Sequence, residues 1–182
     1  MPAHAAAPAA PPSRFDAFAR AVRVVSQLLG IAAAGLIALG VVVVCEMVFV
    51  RYALGENTIW QTDFVTYSLV AATFLGSPYV LLTHGHVNVD VIPHVLAPRH
   101  RWWLALVGML LAIAFCVAML VLTANYWLEA WSQRWLSNTM WRVRLWIPYA
   151  SMPVGLFWLT LQYVVELVNL LTGREPPFGM RA

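Results

Sequence analysis

The run Val24-Val25-Ser26-Gln27-Leu28-Leu29-Gly30-Ile31-Ala32-Ala33-Ala34-Gly35-Leu36-Ile37-Ala38-Leu39-Gly40-Val41-Val42-Val43-Val44-Cys45 holds 22 residues and no charge. At about 1.5 Å per residue it makes roughly 33 Å of helix, enough to cross the hydrocarbon of a bilayer. Three further runs follow the same pattern: Phe64 to Thr83, Leu104 to Leu128, and Leu145 onward to about Leu171, interrupted only by Glu166. The fold class is therefore an all-α membrane protein with four transmembrane helices and short amphipathic interfacial segments. Spans are expected at about 24–48, 63–83, 103–128 and 145–171. They form a membrane domain over 14–172 between a disordered tail, 1–13, and a second tail, 173–182.

Composition agrees. The chain has 182 residues, 62% hydrophobic and 10% charged, against about 25% charged in soluble domains. Mean hydropathy is +0.74. The net charge of +3 rests on scattered arginines, not on the concentrated basic face that nucleic-acid binding needs. Cys45 and Cys116 both sit in apolar runs and are expected as buried thiols, not as a disulfide framework. Phe15, Phe18, Val22 and Val25, interleaved with Arg14, Arg20 and Arg23, predict an interfacial helix leading into the first span. The apolar core starts too late and runs too long for a cleaved signal peptide. With the N-terminus inside, the inner segments carry Arg14, Arg20, Arg23, Arg99, Arg101, Arg174 and Arg181. The outer segments then carry Arg51, Arg134, Arg142 and Arg144. The positive-inside rule places both termini in the cytoplasm.

Working outward from the first run, the ionisable groups gather at the lips of the first hairpin. Glu46 and Arg51-Tyr52 close span one, and Trp60 and Asp63 open span two. Ala53-Leu54-Gly55-Glu56-Asn57 between them has turn composition. Charge at a span edge must be paired or wetted. Arg51 and Asp63 either pair within the hairpin or form part of a docking patch for another subunit, and Glu46 is open to the same two readings. Gly76 and Pro78 lie in span two, where proline should kink the helix. Gly30, Ala34 and Gly35 form a small-residue patch suited to close helix packing. After span two, Val87, Val89 and Val91 alternate with Asn88 and Asp90. Pro93 and Pro98 bar a long helix there.

Five of the nine tryptophans fall between Trp127 and Trp146. Trp127, Trp131 and Trp135, four apart, predict one face of span three running on as an interfacial helix. The bland reading of this belt is lipid headgroups. The sharper one is a protein-docking surface, with Trp131, Arg134, Trp135, Arg142 and Arg144 as the residues that meet either lipid or a partner protein. Pro148 and Pro153 stand in the first third of span four.

The span interiors lack the mid-membrane charge usual for a self-sufficient secondary transporter. The histidines lie outside the spans or at their ends, where they make no axial haem pair. His84 and His86 are better read as a polar helix end than as metal ligands. No nucleophile stands beside a base, and no phosphate loop is present. Neither a cofactor nor a catalytic site is expected.

The hairpin resembles the small membrane subunit of tripartite ATP-independent periplasmic (TRAP) transporters, the DctQ-like family. The likeness is carried by Glu46, Arg51-Tyr52, Trp60 with Asp63, Gly76, and Gly85-His86-Val87-Asn88-Val89-Asp90. Ile147-Pro148-Tyr149 and Met152-Pro153-Val154-Gly155 extend it, and together it covers about Val22 to Leu171. One departure is visible: the family usually has glutamate, often doubled, after the tryptophan, where this chain has Gln61-Thr62-Asp63. The resemblance implies a non-catalytic scaffold in the bacterial inner membrane. It would pack on a large permease subunit that takes up an organic anion with sodium, delivered by a periplasmic substrate-binding protein. Lipid is its other partner, and substrate identity is not encoded in it. The alternative is a structural four-helix subunit of another membrane complex, such as a respiratory enzyme.

Overall fold

The computed structural model describes residues 14–83 and 98–172. The helix α1 spans Arg14–Phe49 and is 36 residues long. That is roughly 54 Å, well beyond the ~30 Å of a hydrocarbon core. The expected interfacial segment is therefore no separate helix but the first turns of one rod. The local reason is plain: from Phe15 to Arg23 there is no glycine, proline or new cap to break it. Val22 and Ser26 in this part are almost fully buried, so it already belongs to the packed structure.

The rod ends in a π-helical turn, Val50–Leu54, closed by Gly55 at φ 68°. Gly55 adopts this left-handed conformation without steric cost, and its N–H returns to the Val50 carbonyl. The predicted turn thus begins two residues later than its composition suggested, because Ala53 and Leu54 complete the π turn. The helix α2 spans Gln61–Leu82. α3 spans Pro98–Ser132. α4, Trp146–Tyr149, is a single turn joined at Ala150 to α5, Ser151–Leu171. Pro148 and Pro153 split span four at this joint. Pro153 lies in the first turn of α5, where its missing N–H has no intrahelical role. Ser151 Oγ donates to the Pro148 carbonyl at 2.7 Å. Among the described residues, four helical stretches are long and apolar enough to cross a membrane.

These helices form a row, not a closed bundle. α1 packs along α2, α2 along α5, and α5 along α3, so α1 and α3 are the two ends of the row. Glycines set the seams. A methyl on Gly30 would meet the Tyr79 side chain at 2.4 Å, and one on Gly76 would lie 3.3 Å from Ala33. Both contacts bring α1 against α2. The central seam is tighter. A methyl on Gly155 would stand 2.3 Å from the Phe74 carbonyl oxygen. Phe74 is four residues before Pro78, whose ring nitrogen has no hydrogen to give that carbonyl. The proline frees the carbonyl and the glycine lets the α5 backbone cover it. Ala34 and Gly35 of the predicted small-residue patch face outward, and nothing lies within 4 Å of a methyl built on Gly35.

Candidate functional site

The polar lips of the first hairpin do come together, with partners other than those expected. Gln61 opens α2 and is buried. Its Nε2 donates to Glu46 Oε2 at 3.3 Å. Thr62 Oγ1 donates to Met47 Sδ at 3.6 Å, so consecutive residues of the two helices stitch the hairpin. Gln61 Oε1 is buried without a hydrogen-bond partner. Glu46 lies on the exposed side of α1.

Of the two readings of Arg51 and Asp63, pairing within the hairpin is not seen: each has a different partner. Arg51 sits on the π turn, and its Nη2 donates across the connecting loop to Thr58 Oγ1 at 2.9 Å. Asp63 is in the first turn of α2, where a carboxylate suits the helix dipole. It accepts the hydroxyl proton of Thr139. Behind Thr139 stands Ser137 Oγ at 2.8 Å, and the Tyr67 hydroxyl donates to Ser137 Oγ at 3.4 Å. The hydroxyls of Tyr67, Ser137 and Thr139 thus run in series toward one carboxylate.

Ser137 and Thr139 belong to a short hairpin between α3 and α4. Its arms are joined by Ser137 N–H to Val143 O at 2.8 Å and Leu145 N–H to Trp135 O at 3.0 Å. Leu136 and Arg144 are bridged antiparallel. The interfacial continuation expected through Trp135 is absent because α3 stops at Ser132. Arg134 takes φ 51° just past the end. Its N–H returns to Trp131 O at 3.3 Å, and Trp135 N–H returns to Ala130 O at 3.1 Å. This is the paired closure of a left-handed helix terminus, a position glycine usually fills. Trp135 consequently leaves the Trp127–Trp131 face and packs edge-on against Tyr126, 5.4 Å between centroids. Trp131 instead stacks with Trp146, 4.5 Å between centroids and nearly perpendicular. Trp127 Nε1 donates to the Trp146 carbonyl at 3.0 Å. Trp60, just before α2, meets Phe64 at 6.1 Å and Trp141 of the short hairpin at 6.2 Å. Tyr52 is 85% exposed.

Gly76 serves the α1–α2 seam, and Pro148 and Pro153 serve the α4–α5 joint. His86 and Asp90 lie outside the described residues, as does the reading of His84 with His86. At the opposite ends of the helices a cavity of about 390 Å³ between α1, α2 and α5 is lined by Arg23, Gln27, Thr83, Gln162, Glu166 and Asn169 among others. Beside it Ser26 Oγ donates to Gln162 Oε1 at 3.3 Å, out of contact with solvent. Sequence reasoning missed Gln61, Thr58, Tyr67, Ser137 and Thr139. Ser137 and Thr139 are small polar residues in a turn and look like ordinary loop. Only the tertiary fold brings them 76 positions back to Asp63.

The arrangement is one of structural stitches at a membrane edge. The comparisons with known proteins agree with it. The chain is 24% identical over 148 residues to the C4-dicarboxylate TRAP transporter small permease protein DctQ of Vibrio cholerae serotype O1, a match covering 70% of this chain. The chain spans 64% of the length of that relative. No solved structure matches it. The family model for the DctQ component of tripartite ATP-independent periplasmic transporters matches residues 40–173. That span takes in the hairpin lips, the Gly155–Phe74 seam and the Trp/Arg hairpin between α3 and α4, and the chain belongs to this DctQ family.

Proposed function

We propose that this chain is the small, non-catalytic scaffold subunit of its transporter, and that one edge of the helix row is covered by the large permease subunit. The observation that carries the reading is the row itself. α1 is an end helix whose outward side is apolar, with Ile31, Val41, Val42 and Phe49 all exposed and the Glu46 carboxylate among them. A carboxylate beside lipid-facing aliphatics is expensive unless something polar meets it. Gln61 occupies one oxygen only. A partner helix offering a donor would satisfy the other. The transport itself, sodium-coupled uptake of an organic anion handed over by a periplasmic binding protein, belongs to the large subunit. With both termini cytoplasmic, the 135–145 hairpin faces the periplasm, on the side from which that protein arrives.

The test is affinity purification of the chain, tagged at its C-terminus, from its native host in mild detergent. A stoichiometric polytopic permease is the expected companion. Recovery with redox subunits would replace this reading with that of a respiratory subunit. The Glu46→Arg variant should recover several-fold less permease at unchanged expression. Equal recovery would remove Glu46 from the interface.

A further inference from the structure

Where α3 ends and α4 begins, Trp131, Arg134, Leu136, Arg144 and Trp146 line an open cavity of about 470 Å³. Arg134 and Arg144 are both exposed, and neither guanidinium has a side-chain partner among the described residues. Glu129, a carboxylate on the last turns of α3, is engaged by Gln133 Nε2 at 3.1 Å. The two cations therefore share a pocket whose other walls are aromatic and aliphatic. Trp131 is 51% and Leu136 42% exposed, so those walls are open to a ligand.

We propose that this pocket binds the phosphate of an anionic phospholipid, with the two guanidiniums on the phosphate and the first acyl carbons along Trp131, Leu136 and Trp146. Two observations select this occupant. The first is depth. Trp131 lies one residue before the end of α3 and Trp146 is the first residue of α4. The pocket thus opens at the level of the tryptophan belt, where headgroups lie. The tip of the short hairpin lies elsewhere, its Thr139 and Trp141 folded onto Asp63 and Trp60 at the start of α2. The second is chemistry. Arginine forks match phosphate oxygens bidentately. The apolar half of the pocket has no use for a small soluble anion.

The test uses the purified full-length chain in detergent, with native mass spectrometry and melting temperature as readouts. The probes are phosphatidylglycerol, a diacylglycerol with the same acyl chains, and glycerol 3-phosphate. Phosphatidylglycerol should be retained and should raise the melting temperature, and the other two should do neither. Arg134→Gly suits the left-handed backbone and so keeps the helix end. It and Arg144→Gln should each weaken phosphatidylglycerol binding by about tenfold. Arg142→Gln, which does not line the cavity, should leave binding unchanged. Unchanged retention in Arg134→Gly and Arg144→Gln would overturn the proposal. So would binding of glycerol 3-phosphate as tight as that of the lipid. The proposal also fails if the two variants keep the lipid and lose only capture of a periplasmic substrate-binding protein, which would make this a protein-docking face.

Discussion

At the residue scale, Asp63 ends a series of hydroxyl donors that joins α2 to the α3–α4 hairpin. A hydrogen bond to a charged acceptor contributes about 1.5–3 kcal/mol net, roughly twice a neutral one. Asp63→Ala should therefore lower stability by about 1–2 kcal/mol, the exposed setting holding it below the upper figure. Asp63→Asn keeps an acceptor at the same place and should lose less. Thr139→Ala removes the other partner. If the two act through one bond, the double variant Asp63→Ala/Thr139→Ala should be no worse than the poorer single one. Additive losses in thermal melts would show that the contact carries no stability. Tyr67→Phe removes only the far end of the series and should cost least of all. None of this was legible in the sequence. Asp63 advertised itself as a charge at a membrane lip, and Arg51 was the nearest opposite charge in the chain. Arg51 is spent instead on Thr58, seven residues away, because the π turn carries it over the loop and not toward α2.

At the element scale, the glycines divide into those that hold seams and those that do not. Gly155 meets the Phe74 carbonyl, a backbone atom that cannot rotate away. Gly155→Ala must push α5 off α2 and should cost about 1–3 kcal/mol, the usual range for overpacking. Gly35→Ala meets nothing within 4 Å. It should be neutral or slightly stabilising, since alanine loses less entropy in a helix. The melting temperatures of the two variants in one detergent compare them directly, and equal values would deny the seam. The helices themselves were readable from charge-free length, because a bilayer demands an unbroken apolar helix. The faces were not. In lipid both sides of a span are apolar, so periodicity does not mark the packed side, and Gly35 looked as useful as Gly30. The end of α3 was hidden for a different reason. Its terminating residue is Arg134 in a left-handed conformation. Without a glycine signal the tryptophan spacing pointed past the true end.

At the scale of the whole molecule, a row of four helices has two free edges, and the proposed scaffold role places a partner on the α1 edge. The two cysteines distinguish these edges without mutation. Cys116 on α3 is buried as expected, but Cys45 is exposed, because it stands beside Glu46 on the outward side of α1. In the isolated chain a membrane-permeant maleimide should modify Cys45 and spare Cys116. If the permease covers the Glu46 side of α1, as proposed, Cys45 becomes an interface residue. Its modification in the purified complex should then slow by about tenfold or more, as it does when access requires the partner to open locally. Labelling of the complex and of the isolated chain, followed by intact-mass measurement, gives both rates. Protection of Cys45 that is lost in Glu46→Arg would tie the edge and the carboxylate to the same contact. Equal rates in complex and isolated chain would free the α1 edge. The permease would then have to sit on another face, such as that of α3, where Leu110, Leu111, Phe115, Val121 and Leu122 are exposed.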